Sequence, residues 1–112
     1  MFPVYRYFAW TQGQASATVT MGLDASRRYL ITGGLTGKSG SSYGQIFISV
    51  VCTQRSSDQI QCGIRDDPAS PPDVNIKSLG AVEFLQNATR VTVKLRGDGE
   101  LHRAEGVVYD IT

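Results

Sequence analysis

The feature that most constrains this chain is the period of its apolar residues. They alternate with polar ones in steps of two along most of its length, and no window of ten or more residues carries a 3.6-residue repeat. Such alternation places one set of side chains on each face of an extended strand, so the sequence predicts an all-β fold. Val4, Arg6, Phe8 and Trp10 alternate with Tyr5, Tyr7 and Ala9, which makes a first strand with aromatics on both faces, ended by Gly13 and Gln14. Ala17, Val19, Met21 and Leu23 share a face opposite Thr18 and Thr20, the pattern of a half-buried strand. Asp24-Ala25-Ser26 forms the next turn, residues 27–34 a third strand, and LTGKSGSS has the glycine and serine content of a mobile loop.

The strongest strand is GQIFISVVCT, with Ile46, Ile48, Val50 and Cys52 on one face and Gln45, Phe47, Ser49 and Val51 on the other. After the polar turn QRSSD, QIQCGIR repeats the pattern, with Ile60, Cys62 and Ile64 inward and Gln59, Gln61 and Arg65 outward. A hairpin centred on Ser57 sets Cys52 opposite Cys62, an arrangement compatible with a disulfide and equally with two buried thiols. DDPASPPDV holds three of the four prolines and reads as an exposed connection. VNIKSLGAVEFLQ fits a strand with a bulge at Gly80 better than a helical turn. TRVTVKLR and HRAEGVVYDI bracket GDGE as a hairpin with an Asp-Gly turn. About eight strands with short connections predict an antiparallel β-sandwich of jelly-roll type, and 112 residues, numbered 1–112, suffice for one domain with one core.

Apolar residues make up 41% of the chain and charged residues 19%, enough to bury a core. A formal charge of +1 supplies no field to gather nucleic acid or an anionic membrane, so a neutral ligand is expected. No apolar run is long enough to span a bilayer, and MFPVYRYFAW lacks the basic-then-leucine-rich pattern of a signal peptide. Localisation stays open, with a secreted or virion-associated protein favoured. Two cysteines and a single distant histidine, His102, cannot make a zinc site.

Catalysis needs groups this pattern does not supply. His102 reads as a surface residue, no serine sits at a strand-to-helix elbow, and the adjacent Asp66 and Asp67 read as turn caps; Glu83, Glu100 and Glu105 stand alone. TGGLTGKSG has Thr32 where a phosphate loop needs its first glycine, and a strand follows it. Arg96-Gly97-Asp98 at a hairpin tip is explained by turn chemistry, and Asn87-Ala88-Thr89 is a glycosylation acceptor only in a secreted eukaryotic protein. No enzyme activity is expected. The constellation that suits binding is the polar face of the central strands: Gln45, Ser49, Gln59, Gln61 and Arg65, with Phe47 among them and Tyr43 at the entrance. Amides and a guanidinium suit sugar hydroxyls and an aromatic ring suits the C–H side of a pyranose, with Trp10, Tyr5 and Tyr7 as a second platform. The competing reading of this face is an ordinary solvated sheet.

From Ala17 to Thr112 the chain resembles a known family. GLDASRRYLITGG, NATRVTVKLRGDG and GVVYDIT are similar to the strands of jelly-roll carbohydrate-binding modules of the galactose-binding-like superfamily, of the type associated with xylanases and glucanases; Gly22, Leu23, Tyr29, Ile31, Gly33, Ala88, Thr89, Val91, Val93, Leu95, Gly97, Val108, Tyr109, Asp110 and Ile111 carry the likeness. The resemblance implies a non-catalytic carbohydrate-binding module without a cofactor, apart from a structural calcium for which Asp24 and Asp110 are the candidate ligands. The alternative is an assembly protein, such as a phage tail or capsid-decorating jelly roll, whose strand VYRYFAW pairs between subunits of an oligomer.

Overall fold

The described strands pair with partners far along the chain. The computed structural model describes residues 1–13, 15–37, 43–53, 64, 66, 67, 69 and 73–112, apart from the side chains of Tyr43 and Asp98. Among them are nine strands: β1 (Phe2–Thr11), β2 (Ala15–Gly22), β3 (Tyr29–Thr32), β4 (Gly34–Gly37), β5 (Tyr43–Cys52), β6 (Val74–Ser78), β7 (Val82–Leu85), β8 (Ala88–Asp98) and β9 (His102–Asp110). They form two antiparallel sheets, one ordered β1-β9-β3-β7 with β4 also on β9, the other β2-β8-β5-β6.

The strands β3 and β4 lie end to end along one edge of β9: Tyr29–Ile31 pair with Asp110–Val108, and Gly34–Gly37 with Glu105–His102. Counted as one bent strand, they leave eight. The chain is then a long ribbon doubled on itself, β1 against β9, β2 against β8, β3 against β7, and β5 against β6 at the bend. Wound over two facing sheets, that ribbon is a jelly roll.

Inward residues of both sheets form one core. Ile48, Val50, Val91, Val93 and Leu95 face Ile31, Leu85, Ala104 and Val108, all fully buried. Each of these Ile, Leu and Val side chains contributes about 1.5–3 kcal/mol by leaving water. The molecule measures 48 × 33 × 18 Å, and its short axis fits two sheets about 10 Å apart with a layer of outward side chains on each. Ile64 is buried as its inward assignment predicts.

Two glycine-lined hollows are filled by ring side chains, one from the adjacent strand and one from the opposite sheet. Tyr7 pairs with Gly106, and its hydroxyl donates to the Thr32 carbonyl at 2.5 Å; a Cβ on Gly106 would strike that carbonyl and the Tyr7 ring. Burial pushes the Tyr7 phenol up to about 12. The break between β3 and β4 is bridged by Thr32, whose hydroxyl donates to the Val107 carbonyl at 3.1 Å and accepts from the Val107 amide at 2.8 Å. In the other sheet Gly44 pairs with Gly97, and the His102 ring reaches across the sandwich to both.

Several expectations are corrected. His102 is buried, at 3% exposure, because its position on β9 faces inward over those two glycines; its Nδ1 and the neighbouring Thr11 Oγ1 have no hydrogen-bond partner among the described residues. TRVTVKLR and HRAEGVVYDI are not a hairpin: β8 and β9 belong to different sheets, and the turn between them carries the chain over the end of the sandwich. Arg96-Gly97-Asp98 accordingly lies inside β8, with Gly97 buried, not at a hairpin tip. VNIKSLGAVEFLQ is two strands in different sheets, with Lys77 Nζ and Glu83 Oε1 joined at 3.0 Å across the crossing.

The start of the glycine-rich segment is strand β4, because a free edge of β9 offers Gly34–Gly37 hydrogen-bond partners. From Phe47 to Val51 both edges of β5 are occupied, by β6 and β8; the expected partner strand around Gln59 and Gln61 lies outside the described residues. Cys52 is disulfide-bonded, and the one other cysteine of the sequence, Cys62, also lies outside the described residues.

Candidate functional site

Strand pairing sorts the outward side chains of the β2-β8-β5-β6 sheet into four cross-strand rows. They read Ser16–Arg96–Gln45, Thr18–Lys94–Phe47–Ser78, Thr20–Thr92–Ser49–Ile76 and Gly22–Arg90–Val51–Val74. Residues directly opposite in such a ladder lie about 5 Å apart, so each row presents a contiguous strip. Gln45, Phe47 and Ser49 therefore share one outer face, as the alternation predicts, with Phe47 half-buried between Lys94 and Ser78. Gln45 Nε2 donates to Ser78 Oγ at 3.4 Å, and the hydroxyls of Thr20 and Thr92 meet at 3.1 Å.

The face is also cationic, which the expectation missed. Arg90, Lys94 and Arg96 are exposed and take part in no ion pair among the described residues. None of the outward strand residues whose side chains are described on this sheet is acidic. Lys94 and Arg96 stand about 7 Å apart along β8 and Arg90 about 13 Å from Lys94, a line of positive charge through the middle of the sheet. The signal was in the sequence: in TRVTVKLR the positions alternating with Val91, Val93 and Leu95 are Arg90, Thr92, Lys94 and Arg96.

Not all the expected site residues come together here. Trp10 projects from the outer face of the opposite sheet, where it pairs with Arg103, and Tyr7 is buried between the sheets. Tyr5 turns its hydroxyl to the Gly22 carbonyl at 2.8 Å. The second aromatic platform is therefore divided. Tyr43 pairs with Asp98 at the end of the face, and its side chain, like Gln59, Gln61 and Arg65, lies outside the described residues.

Asp24 Oδ1 and both carboxylate oxygens of Asp110 are engaged by neighbouring donors. Asp24 Oδ1 accepts from the Ser26 amide at 2.9 Å and the Ser26 hydroxyl at 2.6 Å, which holds its carboxyl below the usual range. Asp110 Oδ2 accepts from Arg27 Nε, and Oδ1 from the Thr112 amide at 2.9 Å; the Arg27 guanidinium holds this carboxyl low as well. This donor set does not fit calcium, because a guanidinium already occupies the cation's place beside Asp110. No group of three or more histidine, cysteine or acidic side chains that could hold a metal ion is found among the described residues. Asp67 caps a turn through the Ala69 amide at 3.0 Å, as its neighbours predict.

Comparison with protein-family models, with curated proteins and with solved structures returns no match, so the residues of the face themselves carry the functional argument.

Proposed function

We propose that this chain is a non-catalytic binding domain that recognises a glycan along the outer face of the β2-β8-β5-β6 sheet. The carrying observation is the composition of its four rows: hydroxyls, an amide and an aromatic ring arranged around three exposed cations. Hydroxyl and amide groups both donate and accept, as sugar hydroxyls do, and the Phe47 ring offers a platform for a pyranose. Arg90, Lys94 and Arg96 favour a glycan bearing carboxylates or sulfates over the neutral one expected from net charge, since the local field and not the total acts on a bound ligand. A disulfide at Cys52, at the end of β5, suits the oxidising compartments where such polymers occur.

Among the described residues the face is an open sheet surface, so the affinity expected is micromolar or weaker and lowered by salt. The test is titration calorimetry of the whole chain against polygalacturonate and heparin, with dextran and xylan as neutral counterparts. Salt-sensitive binding to an acidic polymer that Phe47→Ala and Lys94→Glu both weaken at least about tenfold supports the proposal. Binding restricted to neutral polymers restores the neutral-sugar reading, and binding to none removes the glycan function.

A further inference from the structure

The cations of the polar face are not spread over it. Arg90, Lys94 and Arg96 all stand on β8, and the outward side chains described on β2, β5 and β6 carry no positive charge. A row running across the strands therefore holds at most one cation, and the Thr20–Thr92–Ser49–Ile76 row holds none. A line along β8 meets all three within about 20 Å, since each residue of strand advances about 3.3 Å. A linear anionic chain gains most from this face by lying along β8 rather than across it.

The spacing along that line is uneven. Lys94 and Arg96, about 7 Å apart, fall within the screening length of about 8 Å at physiological ionic strength, so they act together; Arg90, about 13 Å from Lys94, lies beyond it. A ligand held only at Lys94 and Arg96 gains little from Arg90 unless it physically reaches that residue. Between the two ends the hydroxyls of Thr20, Thr92 and Ser49 suit the hydroxyls of a sugar chain passing over them. Beside Arg90 stand Gly22, Val51 and Val74, whose side chains offer no hydrogen bond, so that end of the line recognises an anion alone.

We infer that the face takes an extended, linear polyanionic glycan along β8, with one subsite at Lys94 and Arg96 and a second, separate one at Arg90. The inference rests on the glycan reading and deepens it. The ligand is an acidic oligomer long enough to touch both subsites, not a single acidic sugar, and Arg90 is the residue that sets the length required.

Titration calorimetry of the whole chain against galacturonate oligomers of about two to ten residues, in about 0.15 M salt, reads this directly. The expected result is a dissociation constant that falls about tenfold with length and levels off once the oligomer spans all three cations. In Arg90→Ala, an exposed position whose variant keeps the wild-type melting temperature, short oligomers bind as they do to the wild type. Long oligomers lose most of their advantage and keep only the slow rise that extra binding registers supply. Lys94→Ala weakens binding at every length. No binding at any length removes the glycan reading and this inference with it. Binding in which Arg90→Ala lowers affinity by the same factor at every length, or at none, leaves the glycan reading standing and overturns the alignment along β8.

Discussion

The outer faces of the two sheets are built on the same core and share almost nothing else. One presents Arg90, Lys94 and Arg96 among hydroxyls and the Gln45 amide; the other presents Phe8, Trp10, Val82 and Phe84 around a small cluster of charges. A sandwich needs apolar residues only on its inner faces, so the outer ones are free to be specialised. Among the described side chains one face is largely apolar and the other polar and cationic, so the two suit partners of different chemistry.

This comparison presumes that both outer faces are dispensable to the fold, and β9 offers the sharpest way to break it. Gly106→Ala places a methyl against the Thr32 carbonyl and the Tyr7 ring, and about 3 kcal/mol or more of stability should be lost; Glu105→Ala, one residue away and outward, should stay within about 0.5 kcal/mol. Urea denaturation measures both. Similar losses at the two positions would mean that the apolar face is part of the folding unit itself.

A second test addresses the cationic face. Lys94→Glu combined with Arg96→Glu should lower affinity for polygalacturonate more than about tenfold, while Phe84→Ser, on the opposite outer face, should leave it unchanged. Loss of affinity in Phe84→Ser would show that the faces are coupled through the core.

The pH dependence should differ at the two extremes. The Tyr7 phenol, raised from 10.0 to about 12, stays protonated in the folded chain while the unfolded chain ionises. Stability is therefore fully present below pH 10 and falls as pH rises toward about 12; Tyr7→Phe, although it loses the bond to Thr32, should flatten that limb of a melting-temperature profile. At the acid end the Asp110 carboxyl, lowered by Arg27, contributes stability present above the usual carboxylate range and lost as pH falls through it. Because the Arg27 side chain is about half exposed to screening solvent, Arg27→Ala should shift the acid limb only slightly, the smallest of these effects.

Much of the fold was legible residue by residue. The alternation in MFPVYRYFAW, GQIFISVVCT and TRVTVKLR marked β1, β5 and β8 and sorted Ile46, Ile48, Val50 and Cys52 to one face, which is the buried one. The same alternation placed Gln45, Phe47 and Ser49 together and, had the cations been weighed, would have added Arg90, Lys94 and Arg96. The misreadings came wherever a judgement about neighbours replaced one about period. GDGE looked like a hairpin turn because the segments flanking it are close in sequence, yet β8 and β9 pair with strands from the other half of the chain. Leu35-Thr36-Gly37 looked like loop because glycine has little strand propensity, yet a free edge of β9 outweighs that preference. His102 looked superficial because lone histidines often are, yet a glycine pair in the opposite sheet leaves room for its ring.

What the sequence by itself determined is therefore the strand character of each segment and the division of its side chains into two sets, since both follow from the two-residue repeat of an extended backbone. Which set faces the core is local too, wherever one set is apolar. Only the tertiary structure decided which strands lie side by side, and so that Trp10 and Phe47 look out from opposite sides of the molecule. Pairing in a jelly roll joins the two ends of the chain, and no local pattern records which distant edge a strand's hydrogen bonds will meet.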